Sequence, residues 1–467
     1  MTKNINPFST LTDLAGALAR RELSALDLAE FYLARIERAN PKLNAFVTVE
    51  AELARALARA SDTRRAAGLA LGPLDGLPIA LKDLLEIDGR VTAVGSALWR
   101  ERRSKETAVV VERLLAAGMV VLGKTQMVEF AFGGWGANPK LGTPWNPWDL
   151  GAHRVPGGSS SGSGVAVAAG LAPAAIGSDT GGSVRIPASL VGITGLKTTS
   201  GLISLRGAFP LSSTLDSIGP LTRNVEDTAL LTLAMAEPEA RANLAVRAAP
   251  ANLSTQRIVV LPQEQWPMAV DPAVAAAIEA ARKVLQSLGA HLIERRLPFD
   301  LGDLMRRNGQ LIAAEAYVVH RAYVEDNALP IGQWVRGRLL AGKSILAADY
   351  IEVLTHRRAA CEAWIEWMRD ADALLTPTLP IAACRVEEVD ETTTPLASFT
   401  RAANYVNACA LSLPGGFAAG GLPVGVQLLG KPFAEATLID IGRVFQRATD
   451  WHRRTPDLTA LFGAGTS

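Results

Sequence analysis

The chain has 467 residues, of which 49% are hydrophobic and 20% are charged. This composition can bury a large core, and it excludes a chain that is disordered throughout. Lys and Arg number 47 against 46 Asp and Glu, a formal net charge of +1, so charge gives no reason to expect nucleic acid or an anionic membrane as a partner.

The N-terminal segment and the cysteines bear on the compartment in which the protein works. Residues 1–9 are polar and contain no apolar run like that of a secretory signal. The Ala- and Gly-rich stretch 165–177 is shorter than the roughly 20 residues that a membrane span needs. Cys361, Cys384 and Cys409 form no CxxC pair, so we expect neither a disulfide framework nor a zinc site. We therefore expect a cytoplasmic protein without a membrane partner.

The first 70 residues predict a set of N-terminal helices. A capping-box pattern at Ser24 opens a helix over 25–38, and Pro41 is expected to stop it. An Ala- and Arg-rich run over 50–67 predicts a further helix, and we assign its arginines to a solvent-exposed face.

From residue 71 onward, short apolar runs alternate with turns and helical stretches. Strands are predicted at 77–81, 119–122, 172–176, 257–262, 373–376 and 422–430, and helices at 107–117 and 434–451. Strands that alternate with helices build a sheet covered on both faces, so the fold class is α/β, with a mixed, mostly parallel central sheet.

The return of a core-type strand near the end of the chain favours one large domain over two. Within it we expect N-terminal helices over 1–70, a catalytic core over 71–223, a helical cap over 263–370 and a return to the core sheet over 371–451. The polar segment 237–255 is predicted to be a long surface connection.

The densest chemical signal lies between Pro156 and Pro187, in the sequences PGGSSSGSG and GSDTGGSVRIP. Glycine is needed where the backbone takes a positive φ or approaches a ligand closely. Because these turns alternate with buried-type apolar runs, we interpret them as loops that form a site and not as flexible linkers.

Two interpretations of these turns can be weighed first. A phosphate-binding loop is disfavoured because neither turn is followed by the Lys-Ser/Thr pair of a P-loop. The run GSSSG matches GxSxG, which would make Ser160 the nucleophile of an α/β-hydrolase-type esterase. That pattern is easily matched by chance in Ser/Gly-rich sequence. The histidines that could serve such a nucleophile, none in a recognisable catalytic context, are His291, His320, His356 and His452.

An ordered set of motifs closely resembles the amidase signature family of serine hydrolases. The motifs are GLPIALKD from Gly76, GGSS from Gly157 and GSDTGGSVRIP from Gly177, with supporting blocks from Gly123, Asn146, Asp216 and Gly421. They cover residues 71–223 and 398–451, and an agreement in this order is too specific to arise by chance. The resemblance implies the amidase signature fold and the hydrolysis of a carbon–nitrogen bond.

The same resemblance implies the site residues. Ser183 is expected to be the nucleophile, Ser159 a proton relay on a cis peptide bond, and Lys82 the base. The backbone N–H groups expected to form an oxyanion hole are those of Thr180, Gly181, Gly182 and Ser183. The residues expected to support these loops are Ser160, Asp179 and Arg185.

These residue types suit the hydrolysis of an amide. A lysine is a base only when neutral, and its ordinary pKa is about 10.4. Lys82 ends the apolar run 77–81, where burial can lower the pKa by several units. Ser183 would attack the carbonyl, the amine would leave after protonation through Ser159, and water would hydrolyse the acyl-enzyme. This chemistry needs neither a metal nor an organic cofactor, and the sequence carries no HExxH pattern.

The substrate is expected to meet the segment 129–136, which corresponds to the family segment on the acyl side of the site. The expected substrate contacts in it are Ala131, Phe132, Gly133 and Trp135. The region 300–345 is expected to close the site, with Tyr317, Tyr323 and Trp334 as candidate contacts.

We expect a free-standing hydrolase of a small-molecule amide, aryl acylamide or carbamate, for which a homodimer would be ordinary. The alternative within the family is the glutamine-hydrolysing subunit of a tRNA-dependent amidotransferase, which works with a protein partner. The MDEFAMG-type segment of that subgroup is MVEFAFG over 127–133 here. This departure favours the free-standing enzyme.

Overall fold

The computed structural model describes residues 5–244 and 250–463, which are built around one continuous sheet. Its strands are β1 (Phe46–Val49), β2 (Pro78–Lys82), β3 (Val120–Thr125), β4 (Ala174–Ser178), β5 (Thr194–Lys197), β6 (Ile218–Thr222), β7 (Arg257–Val260), β8 (His291–Glu294), β9 (Ala373–Pro377), β10 (Ala410–Phe417) and β11 (Pro423–Leu429). They lie in the order β1-β3-β2-β4-β6-β5-β10-β11-β9-β7-β8.

Helices surround this sheet and join most of its strands. They are α1 (Leu11–Ala19), α2 (Ala25–Leu43), α3 (Ala51–Ala66), α4 (Val109–Ala116), α5 (Ser161–Ala168), α6 (Arg185–Val191), α7 (Val225–Met235), α8 (Pro272–Ser287), α9 (Leu301–His320), α10 (Gln333–Ala341), α11 (Ala347–Trp367), α12 (Arg401–Tyr405), α13 (Glu435–Arg447) and α14 (Thr459–Phe462). No helix of the described residues has both the length and the apolar character that crossing a bilayer requires.

The α/β class, the single domain and the mixed sheet are confirmed, but the expectation of a mostly parallel sheet is wrong. Among the described residues, six of the ten strand pairings are antiparallel. A short turn joins β10 to β11, and a loop without a helix joins β5 to β6. Connections of this kind return the chain antiparallel, whereas parallel neighbours need a crossover.

The strands that carry the site are covered on both faces. Every residue of β2, β3 and β4 is buried, as expected for parallel strands in the middle of an α/β sheet. β2 pairs in parallel with both β3 and β4, so the three carboxyl ends meet at one edge of the sheet. Loops that leave this edge can therefore share one site.

The element predictions succeed where the pattern is strong. All six predicted strands lie in the sheet, with ends shifted by up to three residues. The expectation that Pro41 stops its helix is wrong, since α2 runs on to Leu43 and ends at Asn44, whose φ is +48°.

The region 263–370 is not all cap, because it supplies β8 to the sheet and α8 packs on β10 and β11. In the segment 237–255, residues 245–249 lie outside the described residues.

Candidate active site

Lys82 is the last residue of β2, and its side chain is fully buried. Its Nζ donates hydrogen bonds to Ser159 Oγ and to Ser178 Oγ, each at 2.8 Å. Ser178 ends β4, the parallel neighbour of β2, so the sheet register itself brings the two residues together. Sequence reasoning gave Ser178 no role, although it stands next to Asp179 in the quoted motif.

The surroundings of Lys82 favour its neutral form. Burial lowers the pKa of its ammonium group to about 7, although the carboxylates of Asp216 and Asp179 act in the opposite direction. A large fraction of these amines is therefore neutral at neutral pH and able to accept a proton.

Ser159 lies in the GGSS loop that precedes α5. The peptide bond between Gly158 and Ser159 is cis, and the Ser159 side chain is fully buried. The loop is held by Gly158 N–H, which donates to the Gly134 carbonyl at 2.7 Å, and by the Ser159 carbonyl, which accepts from Val128 N–H at 3.2 Å. These backbone contacts hold the loop that carries Ser159, the residue expected to be the proton relay.

Ser183 lies in the loop between β4 and α6, and it differs from Lys82 and Ser159 in being open to a cavity. It is 8% exposed, and it lines a pocket of 240 Å³. Its carbonyl accepts from Ser160 N–H at 3.2 Å, which ties the two Gly/Ser loops together. A hydroxyl at a pocket wall, a buried hydroxyl in the adjoining loop and a buried amine at the end of β2 are the components that nucleophilic attack requires.

One of the four expected oxyanion-hole donors is occupied. Gly182 N–H donates to Asp179 Oδ1 at 2.8 Å, so the expectation that it faces the substrate is not met. Gly182 shapes the loop instead: its φ is +126°, and a Cβ there would lie 2.3 Å from Thr400 Oγ1. Within the described part of the chain, the N–H groups of Thr180, Gly181 and Ser183 donate to no protein acceptor.

The three expected supporting residues lie beneath these loops. Asp179 and Arg185 form a fully buried ion pair with Arg185 Nη2 at 3.0 Å from Asp179 Oδ1, and the guanidinium holds the pKa of that carboxyl well below its usual range. Ser160 is also buried, and its Oγ contacts the backbone N–H and carbonyl of Ser178, both at 3.3 Å. Ser160 does not line the pocket, so the geometry does not support the GxSxG interpretation.

A second buried carboxylate, missed by sequence reasoning, binds Thr180 in the loop between β4 and α6. Asp216 Oδ1 accepts from Thr180 Oγ1 at 2.5 Å, and Asp216 Oδ2 accepts from the N–H groups of Leu211 and Ser212. Burial raises the pKa of the Asp216 carboxyl to about 6. Glu315 of α9 accepts from Ser212 Oγ at 2.6 Å, so the helix over the site is joined to this loop. Asp216 stands in the quoted DSIGP block, but no local pattern reveals its partner.

The pocket wall contains all four expected substrate contacts and several unexpected ones. Ala131, Phe132, Gly133 and Trp135 form one side. The region 300–345 does close the pocket, with Gly309, Ile312, Ala313, Arg338 and Ala341. Tyr317, Tyr323 and Trp334 are not among the lining residues, since Tyr323 packs against Trp99 and His320, and Trp334 is 43% exposed. Arg401 lines the side provided by α12.

Nearly the whole chain is similar to known proteins of one family. Residues 27–439 match the family model described as Amidase. The chain is 39% identical to the A-subunit of the glutamyl-tRNA(Gln) amidotransferase of Ralstonia nicotianae, over 96% of this chain and 99% of that protein.

Solved structures of the same size share the fold. The native peptide amidase from Stenotrophomonas maltophilia superposes with a TM-score of 0.81 at 30% identity, over 94% of this chain and 97% of that one. A chain from the vestigial protein complex that reveals the evolutionary origins of an s-triazine catabolic enzyme superposes with a TM-score of 0.85 at 33% identity, over 94% and 98%.

Proposed function

The chain belongs to the amidase family of enzymes that act on carbon–nitrogen bonds, and from this premise we propose that it hydrolyses an amide-type bond through an acyl-enzyme on Ser183. The observation that carries the proposal is the 2.8 Å contact between Lys82 Nζ and Ser159 Oγ, made by an amine that is fully buried. A buried lysine with a lowered pKa that contacts a specific buried hydroxyl is typical of a functional site.

The proposed reaction begins as Ser183 Oγ attacks the amide carbonyl. Ser159 takes the proton from Ser183 and passes its own to the neutral amine of Lys82. Negative charge then develops on the carbonyl oxygen, and the free N–H groups of Thr180, Gly181 and Ser183 are the donors that would stabilise it. The proton returns through Ser159 to the leaving nitrogen, and water hydrolyses the ester on Ser183.

Two functions remain as candidates. Similarity to the A-subunits of glutamyl-tRNA(Gln) amidotransferases favours the hydrolysis of glutamine. The A-subunit of a glutamyl-tRNA(Gln) amidotransferase is 39% identical to this chain over 96% of its length. On this basis the chain would release ammonia from glutamine and pass it to partner subunits.

The charge of the pocket favours the other candidate, a free-standing hydrolase of a small amide or carbamate. Among the described residues, the pocket wall carries two arginines, Arg338 and Arg401, and no Asp or Glu. Free glutamine carries an α-carboxylate, which an arginine of this wall could bind, and also an α-ammonium group, for which the wall offers no carboxylate. An amide without that ammonium group meets no such penalty.

The experiment that separates the candidates is a substrate panel of aliphatic amides, anilides, carbamates, esters and glutamine. Each compound is tested with the chain alone and with the other subunits of a glutamyl-tRNA(Gln) amidotransferase, and Ser183→Ala serves as the blank. We expect turnover of an amide or carbamate by the chain alone. Activity on glutamine only when the other subunits are added would establish the amidotransferase role instead.

A further inference from the structure

Arg401 is a cation in the pocket wall that no anion among the described residues neutralises. It opens α12, and within the described residues no Asp or Glu oxygen lies within 4.0 Å of its guanidinium. Its one acceptor in that part of the chain is the Met305 carbonyl, at 3.4 Å from Nη1. A guanidinium carries five N–H donors, so most of the hydrogen-bonding capacity of Arg401 is not used by the described residues.

Arg338, the other arginine of the pocket wall, is paired with a carboxylate. Its Nη2 lies 2.5 Å from Glu391 Oε2, and its Nη1 donates to the Phe132 carbonyl at 2.9 Å. The N–H donors of Arg338 therefore bind protein acceptors, whereas most of those of Arg401 are available to a ligand.

Arg401 keeps its positive charge at neutral pH although its surroundings disfavour that charge. Burial, together with the positive charge of Arg338, lowers the pKa of the Arg401 guanidinium to about 10, so it stays protonated at neutral pH. A partly buried charge without a partner costs free energy unless a ligand supplies the opposite charge.

The side chain of Arg401 lies close to two glycines, one of them in the loop that carries Ser183. A Cβ on Gly181 would lie 3.2 Å from Arg401 Cγ, and a Cβ on Gly309 of α9 would lie 3.1 Å from Arg401 Nη1. Gly181 is two residues from Ser183, and both line the same cavity. The guanidinium is thus held within one small pocket with the reactive hydroxyl.

Asn308 adds a second unused group at this place. It is fully buried, its Oδ1 has no hydrogen-bond partner among the described residues, and that oxygen would lie 3.4 Å from a Cβ on Gly181. Asn308 is not among the residues that line the pocket, so it belongs to the layer of the wall behind Gly181.

We propose that the substrate is a small amide that also carries a carboxylate, and that Arg401 binds this carboxylate while the amide lies at Ser183. The inference rests on the proposed function and narrows its substrate class to acid amides. Guanidinium binds carboxylate with two parallel hydrogen bonds, which would fix the orientation of a substrate too small to be held by apolar contact alone.

The test is a binding measurement on Ser183→Ala protein, which separates recognition from turnover. Calorimetry compares malonamate, succinamate and glutaramate with the corresponding neutral diamides, which differ only in the charged group. We expect at least one acid amide to bind tenfold or more tightly than its diamide. We expect Arg401→Gln, made in the same background, to reduce that ratio to about one, and Arg401→Lys to keep part of it.

Two controls complete the design. Arg369→Gln removes an exposed arginine, 76% accessible and paired with Glu366, and should leave the ratio unchanged. Thermal unfolding checks that Arg401→Gln is folded. The inference is overturned if no acid amide binds more tightly than its diamide, or if the preference survives Arg401→Gln. Labelling of wild-type Ser183 by a fluorophosphonate tests the proposed function separately, so a labelled enzyme without anion preference refutes only this inference.

Discussion

Lys82 Nζ and Ser159 Oγ lie 2.8 Å apart, and both side chains are fully buried. The contact joins the end of a central strand to a loop that precedes α5, far apart in sequence but adjacent in the sheet architecture. Since the pocket touches Ser183 and not Lys82, the substrate would meet the base only through hydroxyl groups. This arrangement makes the protonation state of one buried amine the quantity that controls the proposed reaction.

The rate is expected to rise with pH through the pKa of Lys82. That pKa lies near 7, and only the neutral amine can accept a proton, so kcat/KM should fall about tenfold per pH unit well below 7 and level off above 8. A pH profile from 5 to 9 on any turned-over substrate measures this. A rate that does not change between pH 6 and 9 would contradict the role of Lys82 as base.

Lys82→Met should inactivate the protein and stabilise it. The pKa of Lys82 is lowered from 10.5 to about 7, so the charged lysine destabilises the folded state by roughly 5 kcal/mol. Lys82→Met removes this cost, but it also removes two hydrogen bonds, whose loss offsets about 2 kcal/mol of the gain in stability. The unfolded chain binds the proton up to about pH 10.5 and the folded chain only up to about pH 7. The cost is therefore complete below pH 7 and shrinks as the pH rises.

Urea unfolding of wild type and Lys82→Met at pH 6 and pH 9 measures this difference. The free energy of unfolding should be higher in the variant by about 3 kcal/mol at pH 6 and by less at pH 9. A variant less stable than wild type at pH 6 would show that the folded protein does not carry a costly buried ammonium group.

Asp216→Asn should lower the rate and move the pH profile. The carboxylate holds Thr180 Oγ1 and raises the pKa of Lys82, so its removal should lower kcat about tenfold and shift the acid limb to lower pH. Asp227→Asn is a matched control, because Asp227 is also buried with a pKa raised to about 6, but it binds the start of α1. An equal shift of the acid limb in both variants would rule out a specific role for Asp216.

Arg185→Met should destabilise the fold. It would leave the carboxylate of Asp179 buried without its cation, which costs about 3 kcal/mol or more. Arg282→Met removes an arginine from the exposed pair with Glu279 and should change the free energy of unfolding by less than about 0.5 kcal/mol. Denaturant unfolding of the two variants makes the comparison, and similar small losses in both would show that the buried pair does not support the loop.

The sequence predicts the parts of this site that lie in ordered motifs. Lys82, Ser159 and Ser183 each stand beside an apolar run or a Gly/Ser turn, and the strands that position two of them have strong apolar patterns. The sequence does not predict β1, β5, β6, β8 and β10. In β5 and β10, Gly, Lys and Pro interrupt the apolar character. The occupied N–H of Gly182 could not be foreseen, since it depends on how Asp179 folds back onto its own loop.

The charges of the pocket could likewise not be predicted from the sequence pattern. Arg338 and Arg401 lie in α10 and α12, outside the quoted motif sequences. They differ in their partners, because the fold brings the carboxylate of Glu391 to Arg338 only. Side chains that meet from separate segments leave no local signature, whereas a catalytic loop does.

The central claim, that Ser183 is a nucleophile served by the buried amine of Lys82, is tested most directly by fluorophosphonate labelling followed by peptide mass spectrometry. We predict label on Ser183 alone, at a rate that rises with pH with a midpoint near 7, and label that is nearly abolished in Lys82→Met. Label on Ser160, or an unchanged labelling rate in Lys82→Met, would contradict the account.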